Sequence, residues 1–166
     1  MATKATITMD LTIQEAVSSI PAAPNTTITH NGFNTTASLG AASTPPVTKV
    51  AAFEKTLVAG VGTIDLTALP GTNGTTVDGT GLKVQALKVK SPSTNANILV
   101  VGKGASNGYG FNGKTWTVAI KPGEEVMFRF VDAATQPAIA GGAKTIDLSD
   151  DSAAGTDVFE VAILLG

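Results

Sequence analysis

Residues 108–115, GYGFNGKT, satisfy the phosphate-loop pattern G-x-x-x-x-G-K-[ST] letter for letter. In that motif the lysine and hydroxyl residue open a helix, whose first N–H groups and dipole hold phosphate oxygens. Here the next residues are Trp116-Thr117-Val118-Ala119-Ile120, alternating and rich in β-branched side chains, with Pro122 close behind. Such a segment extends as a strand. Residues 108–115 are therefore read as a glycine-rich loop entering a strand, with Tyr109 and Phe111 packing inward, and nucleotide binding is not expected. Gly102-Lys103-Gly104 has the glycine spacing of a dinucleotide loop but lacks the following helix as well.

Other reactive side chains are sparse. The single histidine, His30, has no serine and carboxylate at recognisable spacing, so it reads as a surface histidine beside a turn. Asp147, Asp150, Asp151 and Asp157 form the densest acidic run. Calcium prefers oxygen ligands supplied by such a loop, but EF-hand spacing is missing, so a solvated acidic loop is the default. Glu124 and Glu125 adjoin a turn with no matching carboxylate for glycosidase chemistry. Tyr109 and Trp116 could stack on a sugar, yet Trp116 shares its period with Val118 and Ile120 and is read as core. No catalytic, cofactor-binding or metal-ligating residue is assigned, and the chain is not read as an enzyme.

The elements that would position these residues are strands. In residues 114–132, Trp116, Val118 and Ile120 share one face of a first run, and Val126, Phe128 and Phe130 one face of a second. Pro122-Gly123 between them reads as a type II turn, so the unit is expected to be a β-hairpin. Further strands are expected over 55–59, 62–69, 82–90, 97–102, 144–149 and 158–165, bounded by Gly, Pro, Asn or Ser clusters. Many short strands without intervening helices predict an all-β protein, an antiparallel β-sandwich or jelly-roll-like domain spanning 55–166. Thr63-Ile64-Asp65-Leu66 recurs as Thr145-Ile146-Asp147-Leu148, which suggests a weak repeat with the copies at equivalent edges of two sheets. Lys83, Lys88 and Lys90 are read as facing water or guarding an edge. Phe159, Val161, Ile163 and Leu165 predict a buried last strand.

Residues 1–54 differ: they read as an extended N-terminal arm carrying one short helix and a Pro/Thr-rich linker. Ala5, Ile7, Met9 and Leu11 alternate with polar residues, as in a strand. Thr12 and Glu15 form a capping-box pair; Ile13, Ala16, Val17 and Ile20 share a helical face, and Pro21 ends the run, which predicts a helix of about two turns. Asn31-Gly32 is a hairpin-type pair between Ile28 and Phe33. The arm has regular apolar residues but too few for its own core, so it is expected to order against a neighbouring subunit.

Composition narrows the function classes. A chain of 166 residues suits one domain with a real core. With no cysteine, it has no disulfide, thiolate metal site or cysteine nucleophile. Charged residues make up only 14 % and the net charge is −2, with the basic residues scattered, so no nucleic-acid footprint is expected. The opening residues lack the apolar core of a secretion signal and no run approaches a membrane span, so no membrane partner is expected.

Three stretches carry a resemblance: residues 62–92, GTIDLTALPGTNGTTVDGTGLKVQALKVKSP; residues 107–130, NGYGFNGKTWTVAIKPGEEVMFRF; and residues 144–166, KTIDLSDDSAAGTDVFEVAILLG. Together they resemble small β-sandwich virion structural proteins of tailed bacteriophages. The resemblance implies a capsid decoration or cement protein made in the host cytoplasm and carried in the virion, with the major capsid protein or other virion proteins as partners and a homo-oligomeric state. It implies assembly surfaces with no cofactor or active site. A minor capsid or tail component, or a glycan-binding fibre or adhesin module, is the alternative expectation.

Overall fold

Alternation becomes hydrogen-bonded strand along most of the chain. The computed structural model describes residues 4–16, 27–32, 34–130, 133–152 and 155–166. Its strands are β1 (Lys4–Met9), β2 (Ile13–Ala16), β3 (Thr27–His30), β4 (Thr35–Gly40), β5 (Lys49–Thr56), β6 (Val61–Asp65), β7 (Leu69–Pro70), β8 (Thr76–Val77), β9 (Val84–Lys90), β10 (Leu99–Lys103), β11 (Thr117–Ile120), β12 (Glu125–Arg129), β13 (Thr145–Asp150) and β14 (Val158–Leu165). Among the described residues the only helical pieces are two single 3-10 turns, at Thr72–Gly74 and Ala133–Thr135.

Two four-stranded antiparallel sheets make the body: a first sheet ordered β11-β10-β13-β6 and a second ordered β12-β9-β14-β5. Alternate residues of each enter one shared core. Ile64, Leu99, Val101, Ile120, Ile146 and Leu148 come from the first sheet, and Ala51, Leu87, Val89, Phe159, Val161 and Ile163 from the second. This is an all-β sandwich, in which the period of two puts apolar residues inside and leaves the intervening ones outside. The last strand, β14, lies between β9 and β5, and Phe159, Ile163 and Leu165 are fully buried. The second sheet begins at Lys49, so residues 49–54 belong to the body rather than to the arm.

The expected hairpin is not formed. The type II turn is present: Gly123 has φ +85°, and Glu124 N donates to Lys121 O at 3.0 Å. However, β11 pairs with β10 while β12 pairs with β9, so the turn arches from one sheet to the other. Type II geometry splays its flanking strands, whereas tight hairpins use the mirror-image turns. Gly123 N instead donates to Ser91 O at 2.8 Å, tying the arch to the end of β9.

The two Thr-Ile-Asp-Leu segments are likewise not at the edges of different sheets. They pair with each other as β6 and β13, with Ile64 opposite Ile146, Thr63 opposite Asp147 and Asp65 opposite Thr145. Lys88 and Lys90 face outward, as one of the two readings expects, but guard no edge: β9 is an inner strand, and the two lysines meet Glu125 at 2.9 Å and Glu160 at 3.0 Å across its outer face.

In the N-terminal part the short helix gives way to a strand. Ile13–Ala16 is β2, paired with β3; residues 17–20, the rest of the expected helix, lie outside the described residues. A two-turn helix carries the nucleation cost with few bonds to offset it, and an available partner strand satisfies the same groups. Asn31-Gly32 does not close a hairpin of its own: β3 pairs with β2 and β4 with β1, and between β3 and β4 a turn is marked by the bond from Asn34 N to Asn31 O at 3.5 Å. At the break, Leu11 N donates to Asn34 Oδ1 at 2.8 Å. Phe33 lies outside the described residues.

Candidate interaction surfaces

The segment with the phosphate-loop pattern is a loop closed on itself. Four of its N–H groups are committed: Tyr109 N to Thr145 O, Asn112 N to Gln136 Oε1, Gly113 N to Gly110 O and Lys114 N to Phe111 O. Gly110 is required because a Cβ at that position would lie 2.7 Å from Lys114 O. Strand β11 follows in place of a helix.

Tyr109 and Trp116 do not form an exposed sugar platform. Tyr109 is fully buried; its hydroxyl donates to Pro137 O at 2.7 Å and accepts from Val84 N at 3.1 Å. Burial pushes its pKa up to about 12. Trp116 is half-buried, stacks on Phe111 with ring centres 4.1 Å apart, and donates from Nε1 to Tyr109 O at 3.0 Å. Phe128 and Phe130 close on Phe111 at 4.9 and 4.7 Å. The aromatics thus fill one end of the core.

The acidic run is divided among separate structural tasks. Asp157 accepts from Ala96 N and Asn97 Nδ2, Asp151 from Ile98 N, and Asp150 from Ser152 N and Oγ. Asp147 faces away from these, accepting from Thr63 Oγ1 at 3.0 Å and Ala105 N at 2.7 Å. The described residues bring no three metal-ligating side chains together. Glu124 closes the arch by accepting from Lys121 N at 3.0 Å. His30 lies 3.8 Å from Glu15 on the ribbon, both well exposed, a pair contributing less than about 1 kcal/mol. Elsewhere on the surface, burial raises the Asp65 carboxyl, but the bonds from Lys144 and Thr67 outweigh it and hold its pKa below the usual value.

What remains are surfaces. On the outside of the first sheet, Val61, Thr63, Val100, Gly102, Thr117 and Ser149 line a shallow groove of about 430 Å³. The outside of the second sheet carries a wider one of about 550 Å³, with Ala52 and Ala162 as its floor and Glu54, Lys88, Lys90 and Glu160 around it. Thr8, Met9, Asp10 and Leu11 of the ribbon border Lys88, Glu125 and Met127 of the same sheet, so the ribbon root crosses its β12 side. Ile7 and Ala37, directly opposite each other in the ribbon, are buried at 6 % and 9 % exposure. Further out, Met9, Leu11, Ile13 and Ile28 are 43 %, 54 %, 44 % and 48 % exposed.

The chain matches no family model, no curated protein and no solved structure. Functional argument therefore rests on its own surfaces. The ribbon is the feature that reading by residue type missed in form: period-two alternation from Ala5 to Leu11 was visible, but its extension through Ile13 was hidden by a competing helical period. No single residue signals the grooves, because each is assembled from strands distant in sequence.

Proposed function

We propose that this chain is a non-enzymatic virion structural protein, a decoration or cement protein that binds the capsid exterior and stabilises the shell by bridging subunits. The observation that carries the reading is the ribbon, on which Met9, Leu11, Ile13 and Ile28 stand 43 %, 54 %, 44 % and 48 % exposed. A two-stranded ribbon is at best marginally stable alone, so exposed Leu11, Ile13 and Ile28 are suited to burial against a partner. The resemblance to phage virion proteins supplies the class of partner. Binding the assembled shell and no other state adds stability to that shell by mass action.

Shortening the ribbon tests this. Met9 and Thr35 already face each other, so replacing residues 10–34 by Asn-Gly makes a two-residue hairpin that keeps β1 and β4. The variant should fold and lose co-sedimentation with purified capsids of the source particle. Full retention of particle binding would reject a docking role for the arm. A glycan-binding reading loses support because Tyr109 and Trp116 face the core; a minor capsid or tail position is separated from decoration by locating the chain in electron-microscopy density of the particle.

A further inference from the structure

We infer that Asn31 is a site of spontaneous covalent modification, in which its side-chain amide is lost to attack by the backbone nitrogen of Gly32. The chain holds four Asn-Gly pairs, at residues 31–32, 73–74, 107–108 and 112–113. The fold restrains the last three and leaves the first open. This modification is independent of the proposed function.

The step is an acyl transfer within the chain and requires only water. Gly32 N bonds to Asn31 Cγ, the bond from Cγ to Nδ2 breaks, and Nδ2 departs as ammonia with the proton that Gly32 N gives up. Water then opens the cyclic imide. Opening at Cγ restores the ordinary peptide with aspartate at position 31; opening at the main-chain carbonyl carbon gives isoaspartate, whose chain runs on through Cβ and Cγ. Ring closure needs a free glycine nitrogen, a peptide plane that can rotate and an asparagine amide that is not held. Glycine favours it because no Cβ crowds the ring and the backbone turns easily.

Asn31-Gly32 meets each condition. Both residues are exposed, and nothing lies within 4 Å of where a Gly32 Cβ would stand. Among the described residues, neither the Asn31 amide nor Gly32 N makes a hydrogen bond, and the peptide between them is restrained by one long bond, Asn34 N to Asn31 O at 3.5 Å. At Asn112-Gly113, by contrast, Gly113 N donates to Gly110 O at 3.3 Å, and Gln136 grips Asn112 twice, donating from Nε2 to Oδ1 and accepting from Asn112 N at 3.0 Å. At Asn107-Gly108, Asn107 O accepts from Lys144 N at 2.7 Å and from Thr145 N at 3.0 Å, and a Gly108 Cβ would stand 1.9 Å from Gly104 O, so that peptide cannot rotate in place. Residues 73 and 74 belong to the 3-10 turn Thr72–Gly74, closed by Thr75 N on Thr72 O at 3.3 Å. A helical turn fixes the backbone rotation that ring closure must change. The site also has consequences where it stands, between the strand paired with β2 and the strand paired with β1. Aspartate adds a negative charge beside His30, and isoaspartate adds a carbon to the main chain there.

The full-length protein is aged in warm, mildly alkaline buffer, folded in one sample and unfolded in urea in another, then digested and mapped by tandem mass spectrometry. In the folded sample residue 31 should convert from amide to acid, as aspartate and isoaspartate, at least about tenfold faster than residues 73, 107 and 112, a difference of about 1.4 kcal/mol in barrier. In urea the four sites should converge, the slow three accelerating and residue 31 changing least. Gly32→Ala should slow conversion at residue 31 about tenfold while the other sites keep their rates, since the added Cβ hinders the attacking nitrogen. Conversion of any other Asn-Gly pair as fast as residue 31 in the folded protein overturns the inference. So does a residue 31 that reacts only after unfolding, or a rate there that is indifferent to Gly32→Ala.

Discussion

Ile64 and Ile146 face each other across the β6–β13 pairing, at the centre of a local two-fold that maps one Thr-Ile-Asp-Leu segment onto the other. Each threonine thereby lies opposite the other copy's aspartate. The symmetry is kept at Thr63 and Asp147, bonded at 3.0 Å, and broken at the second pair, where Thr145 Oγ1 donates to Ser106 O and Asp65 takes Thr67 and Lys144. Both isoleucines are buried, at 3 % and 0 % exposure. Truncating either to alanine removes core volume that a two-sided sheet packing cannot readily refill. Ile64→Ala and Ile146→Ala should each cost about 2–5 kcal/mol in urea unfolding. Because the residues touch the same region, the double variant should depart from the sum of the two.

Tyr109 is the only tyrosine, so its phenolate can be followed by ultraviolet absorbance without interference. Its pKa is raised to about 12 by burial, against 10.0 normally. A raised folded-state value means stability is intact below pH 10 and lost as pH climbs from there through about 12, because the unfolded chain gives up the proton first. Titration should show little phenolate until the protein unfolds. Ionisation near 10 in the folded protein would contradict the buried hydroxyl. Tyr109→Phe should cost about 1–3 kcal/mol at neutral pH by leaving Val84 N and Pro137 O without their partner.

Trp116 is the only tryptophan, and its ring lies 8° from parallel with that of Phe111. Removing it strips the stack and the bond to Tyr109 O. Trp116→Ala should cost about 3 kcal/mol, near the lower end for large aromatics because the ring is only half-buried. A stability-neutral change, measured by denaturant unfolding, would contradict its place in the core.

Gly123 should matter through its backbone rather than through space. Its φ is +85°, and an added Cβ would meet only Ser93 Cβ, at 3.8 Å. Gly123→Ala should therefore cost about 1 kcal/mol of left-handed strain, and Gly123→Asn less, since asparagine tolerates that region. Equal losses for both, measured by thermal unfolding, would point to packing instead.

Local pattern determined most strands of the body and which side of each is inside, but not β5, where a strand was expected only over 55–59 and the pairing with β14 instead runs over Lys49–Thr56. Alternation at Trp116–Ile120, Val126–Phe130 and Phe159–Leu165 sufficed, because a period of two depends only on the residue and its near neighbours. It also settled that residues 108–115 enter a strand, since Thr117, Val118 and Ile120 oppose a helix there. Partnership between strands was beyond its reach. The same alternation and the same Pro122-Gly123 turn serve a hairpin or an arch, and only the competition among β9, β10, β11 and β12 for hydrogen-bond partners decided for the arch. In the arm, Ile13 and Ala16 fit a helical and an extended period equally, and pairing with Thr27–His30 chose the latter. The grooves over Ala52 and Ala162 and around Gly102 arise from residues far apart in the chain, so they exist only once the sheets have assembled.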